Sequence, residues 1–96
     1  MALYLLHWKI PTDKKMGAFG TFSQMTEADD AADSGDVEML GRWHDIAGEQ
    51  GWAICDSPTV TDVQAWLFNW GDMIATTVTP VQTDSEVREM VKAKMG

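Results

Sequence analysis

The sequence predicts an α+β domain in the order β-α-β-β-α-β, with one more helix at its C-terminus. Three observations predict it. Four short apolar or β-branched runs alternate with segments whose apolar residues recur at helical spacing. The second and third runs are joined by a loop with two glycines, Ala47-Gly48-Glu49-Gln50-Gly51, as in a hairpin. The chain has 96 residues, enough for one compact domain and too few for two.

The first strand is Ala2 to Lys9 (ALYLLHWK), short, apolar and free of Gly and Pro. Tyr4, Leu6 and Trp8 alternate with Leu3, Leu5 and His7, so both faces are apolar. Ile10-Pro11 ends it. Thr12 or Asp13 is placed to cap a helix carrying Met16, Phe19 and Phe22 or Ser23 on one side. Between Thr26 and Asp36, Glu27, Asp29, Asp30, Asp33 and Asp36 occur without a basic residue, a pattern read as a solvated helix end and loop. The run lacks the ligand spacing, central Gly and closing Glu of a calcium loop.

Val37 to Ile46 (VEMLGRWHDI) reads as the second strand and Trp52 to Asp56 as the third. Thr59 or Thr61 then caps a helix through about Trp70, whose stripe of Val63, Trp66, Leu67 and Trp70 has the spacing i, i+3, i+4, i+7. Gly71 closes it. Met73 to Gln82 (MIATTVTPVQ) is β-branched and alternating, and Pro80 assigns this fourth strand to an edge. Asp84 or Ser85 caps a last amphipathic helix with Val87, Met90, Val91 and Lys94 or Met95 on one side. Six elements in this order make the split β-α-β plan of the ferredoxin-like fold. Right-handed crossovers give an antiparallel sheet of strand order 4-1-3-2 with its helices on one face. The other face is left open. On a chain this short, a second copy of the same chain is the simplest cover for it.

Composition excludes several classes. Seven basic against fifteen acidic side chains give a net charge of −8, which disfavours nucleic acid and anionic membranes. No apolar run approaches the roughly 20 residues of a membrane span, and the start has no basic, signal-like segment, so the expected location is the cytoplasm. Cys55 is the single cysteine, which rules out an internal disulfide and reads as a buried, inert thiol. No zinc spacing, phosphate-cradling glycine loop or nucleophile elbow is present, so no cofactor or metal is expected.

The stretch Gly41-Arg42-Trp43-His44-Asp45 adds a different kind of information. With Tyr4-Leu5-Leu6-His7-Trp8-Lys9, Gly51-Trp52-Ala53-Ile54 and Thr79-Pro80-Val81, it makes the chain resemble a family of small bacterial proteins of unknown function in the dimeric α+β-barrel group. The resemblance covers nearly the whole chain, and its specificity resides mostly in Trp43-His44-Asp45. It implies a dimer whose two sheets pack face to face. It implies no single reaction, because the wider group holds cofactor-free monooxygenases of the quinol type, dehydratases, haem-degrading enzymes and non-enzymatic sensors.

The topology itself gathers chemistry. The ends of strands 1 and 2 and the starts of strands 3 and 4 lie at one end of the sheet, which draws together His7, Trp8, Trp43, His44, Trp52, Trp70 and Asp72. Histidine titrates near neutral pH and suits proton transfer. The expectation is a pocket there for a small apolar or aromatic molecule. In it His44 or His7 moves a proton, Arg42 or the tryptophans hold the ligand, and Asp72 is the better carboxylate partner. Asp45 follows His44 along the strand and so points away from it. Two rival readings stand beside this one: a non-enzymatic dimeric module whose aromatic residues are packing, and a protein that presents the acidic Glu27 to Glu38 segment to a basic partner.

Overall fold

The computed structural model describes residues 2–96. Its sheet is built from β1 (Ala2–Lys9), β2 (Glu38–Asp45), β3 (Gln50–Ser57) and β4 (Ala75–Val81). All neighbours are antiparallel and the order is β2-β3-β1-β4, which is the expected 4-1-3-2 read from the other edge. The helices are α1 (Lys15–Ser23), α2 (Glu27–Ser34), α3 (Val60–Phe68) and α4 (Asp84–Met95). The fold is ferredoxin-like.

One face of the sheet makes the core. Tyr4, Leu6 and Trp8 of β1 and Ala53 and Cys55 of β3 meet Ala18 of α1 and Val63 and Trp66 of α3, and all are buried. The stripe on α3 is therefore real: Val63 and Trp66 are buried, while Leu67 and Trp70 are half-buried beside them. Cys55 is fully buried, as expected, and burial followed by the nearby Asp56 carboxylate pushes its thiol pKa up.

Three local expectations change. Thr12 and Asp13 do not cap α1; residues Thr12–Lys14 form a short 3-10 turn instead. There the Thr12 hydroxyl donates to Glu49 Oε1 at 3.0 Å. The acidic segment is a complete helix, α2, rather than a helix end and loop. Thr26 Oγ1 accepts from the Asp29 amide at 3.2 Å and Asp29 Oδ2 accepts from the Thr26 amide at 2.9 Å, a reciprocal cap. The last helix begins one residue earlier than expected, because Thr83 and Glu86 make the same cap.

The molecule is drawn out. It measures 53 × 27 × 18 Å, with a radius of gyration of 15.5 Å. A compact domain of this length has about 12.5 Å. Every residue of α4 is exposed.

Candidate functional site

Strand register decides which aromatic residues meet. Trp8 pairs with Gly51 and Gly51 with His44, so Trp8 and His44 share the helix-covered face. His7 pairs with Trp52 and Trp52 with Trp43, so these three share the open face. The two histidines therefore lie on opposite faces of the sheet. The expected convergence of both imidazoles in one pocket is corrected on this point: they reach the same end, and the sheet separates them. Side chains alternate along each strand, and the register aligns an odd position of β1 with an odd one of β2.

On the covered face lies a cavity of about 60 Å³ inside an open cleft of about 550 Å³. Trp8 and Leu6 form its floor, Phe19 and Phe22 of α1 one wall, and Trp66, Leu67 and Trp70 the other. Trp8 can lie flat there because its neighbour across the strand is Gly51. A Cβ at that position would sit 2.3 Å from Trp8 Cζ2 and 2.8 Å from the Trp43 carbonyl.

Two polar side chains face the cleft. Arg42 lies with its guanidinium carbon 4.6 Å from the centre of the Phe22 ring and donates from Nη2 to Asp30 Oδ2 at 3.2 Å. His44 stands at the rim, 5.8 Å from Trp8 edge-on and 5.1 Å from Phe22, centroid to centroid. Partial burial, then the neighbouring Arg42 charge, holds the His44 pKa below its usual 6.5. At neutral pH most of the rings are therefore uncharged, with one nitrogen able to accept a proton.

Behind the wall stands a residue that the sequence reading passed over. Asp33 of α2 accepts hydrogen bonds from Trp66 Nε1 and Trp70 Nε1, both at 2.9 Å, and from Asn69 Nδ2 at 3.0 Å. One carboxylate thus sets the orientation of two indoles that line the cleft. Asp30 and Asp33 lie three apart, which puts them on one side of a helix; that spacing was the available signal, hidden inside an acidic run. Phe22 was placed on the α1 stripe without a role in the site.

The other expected residues lie elsewhere. Asp72 is exposed and pairs with Lys14 at 3.1 Å, so it is no partner for His44. Its pairing with Lys14, through hydrogen bond and charge, raises the lysine pKa. On the open face His7 stacks on Trp52 with ring centroids 5.1 Å apart and planes 13° from parallel. Its Nε2 meets Gln50 Oε1 at 3.0 Å, and Gln50 Nε2 donates to Asp45 Oδ2 at 2.9 Å. The bond from Gln50, and then one from the Gly48 amide, lowers the Asp45 pKa. Trp43 lies beside this chain, 60% exposed.

A family model described as a domain of unknown function, DUF3303, matches residues 2–95. The chain belongs to the DUF3303 family. No curated protein and no solved structure matches it. Among the described residues of this DUF3303 domain, no group of three or more His, Cys, Asp or Glu side chains is arranged to hold a metal, and no helix is long and apolar enough to cross a membrane.

Proposed function

We propose that this DUF3303 domain binds a small aromatic molecule bearing a hydroxyl group in the cleft between the sheet and helices α1 and α3. The observation that carries the reading is the place of the His44 imidazole, its pKa held below the usual 6.5, at the rim of a cavity walled by aromatic rings. Such a site stacks a flat ligand on Trp8, Phe22 and Trp70 and offers its hydroxyl one polar contact. The inner cavity of about 60 Å³ is too small for a whole ring. A cavity near 150 Å³ is what holds benzene. The ligand therefore occupies the outer cleft and inserts only an edge. His44 accepts its hydroxyl proton there, the first step of both isomerase-type proton transfer and cofactor-free oxygenation.

A second reading is a non-enzymatic binding module. It is favoured by how the polar groups are already used: Arg42 by Asp30 and Phe22, and both wall indoles by Asp33. Titration with 1-naphthol, followed by tryptophan fluorescence and by the imidazole NMR signals, tests the shared claim and separates the two. Saturable quenching that moves the His44 signal and leaves His7 in place supports the cleft. Loss of binding in Phe22→Ala with retention in His44→Gln indicates a module that holds its ligand without proton transfer. Failure of 1-naphthol to saturate, or movement of His7 alone, overturns the reading.

We further infer that the open sheet face is the site of self-association. Leu3, Leu5 and Ile54 lie half-buried along it and Trp52 and Trp43 are exposed beside them, an apolar surface on a chain too short to cover it.

A further inference from the structure

The C-terminal helix is exposed along its whole length. α4 is capped at its N-terminus by the Thr83–Glu86 pair, and its basic residues Lys92 and Lys94 lie in the last turn, where they complement the helix dipole. It is amphipathic, with Val87, Met90, Val91 and Met95 along one side, yet all four are exposed, Met95 at 84%. A 12-residue helix without tertiary packing is marginal in water. The sequence thus specifies both an end cap and an apolar stripe for an element that has no buried residue among the described ones.

Charge indicates what covers it. The chain before α4 is strongly acidic, with twelve acidic residues against four basic ones, whereas α4 is balanced, with Asp84, Glu86 and Glu89 in its first half and its two lysines in the last turn. Arg88, Lys92 and Lys94 are the basic residues of α4, and Lys94 stands seven residues after Val87, on the edge of the stripe. The open sheet face carries an acidic pair. Glu38 of β2 sits directly opposite Asp56 of β3, a like-charge cross-strand pair. Asp56 Oδ1 is buried and has no hydrogen-bond partner among the described residues.

Area points the same way. Four strands of about eight residues present roughly 500 Å² of flat sheet, against about 800 Å² that a stable interface takes from each partner. The apolar side of α4 adds to that platform, and α4 starts beside it, where Glu86 borders a cleft with Leu3 and Val81.

We propose that α4 is an arm that crosses to a second copy of this chain, lays Val87, Met90, Val91 and Met95 on that copy and brings Lys94 to its Glu38–Asp56 pair. The proposal rests on self-association through the open face and adds the arm to it. In a two-fold dimer each chain gives and receives one arm, so the contact forms twice.

Sedimentation velocity on the full chain tests it. The wild-type protein is a dimer at micromolar concentration. Val87→Glu/Val91→Glu, at two positions exposed in the single chain, weakens dimerisation by at least about tenfold without lowering the melting temperature of the monomer. Lys94→Glu weakens it by about threefold, more at low salt than at high, and adding Glu38→Lys in the same chain restores it. An unchanged dimer in the double valine variant overturns the arm and leaves the sheet interface standing. A monomeric wild-type protein overturns both. A dimer that Lys94→Glu weakens and Glu38→Lys fails to restore overturns the placement on the Glu38–Asp56 pair.

Discussion

The two faces of the sheet carry similar residue types and have opposite fates. Both hold a histidine beside tryptophans at the same end: His44 with Trp8 on the covered face, His7 with Trp52 and Trp43 on the open one. Two helices turn the first set into a cleft, whereas the second remains a stacked aromatic surface. Composition gives the two faces equal claim to chemistry, and only the packing of α1 and α3 distinguishes them. His7 is bound to Gln50 and tied through it to Asp45, while His44 contacts rings and a cleft. A relay of polar groups would suit catalysis, but here the relay lies on the face opposite the aromatic cleft.

Matched substitutions on the two faces sharpen this contrast. The largest effect belongs to Gly51→Ala, which pushes a methyl group into Trp8 and the Trp43 carbonyl. It costs about 3 kcal/mol in urea denaturation, since the indole is walled in and backbone cannot yield. The comparable Gly41→Ala meets only the exposed Trp43 ring, at 2.5 Å from Cη2, which swings aside for less than about 1 kcal/mol. Equal costs would show that the open face is as tightly packed as the covered one. Next is Asp33→Ala, which strips the acceptor from two indoles and Asn69 and lowers stability by about 2 kcal/mol. It also weakens 1-naphthol binding, because the walls of the cleft lose their setting.

The smallest effect is the pH dependence of His44. Its folded pKa lies below the ordinary 6.5, so the unfolded chain takes up the proton first as pH falls. Stability is therefore complete above about 6.5 and declines as pH drops through the lower, folded value. The melting temperature of His44→Gln lacks that part of the decline between pH 7 and the carboxylate range. A wild-type protein that gained stability on acidification over this interval would reverse the sign and place a carboxylate against His44.

Much of this architecture is legible in the chain. The Val63-Trp66-Leu67-Trp70 stripe and the alternation of β1 carry their periods openly, and Gly48 marks the hairpin turn, while Gly51 falls inside β3. The acidic helix was hidden by composition: five carboxylates in eleven residues look like solvated chain until Thr26 and Asp29 are read as a cap. The site was half legible. His44, Arg42, Trp8 and Trp70 line the cleft, but His7, Trp43 and Trp52 fall on the other side and Asp72 pairs with Lys14. Proximity along a strand end follows from topology, whereas the face follows from register, and the resemblance to other small proteins supplied neither. Register is fixed by hydrogen bonds between strands that no single strand's pattern contains.

The Asp33 carboxylate gives the protein a built-in optical gauge. Two of its five tryptophans share one charged acceptor, and their emission depends on whether that charge or water holds the indole N–H. Any motion that moves α3 away from α2 must break those bonds, so the colour of the intrinsic fluorescence reports that motion without a label.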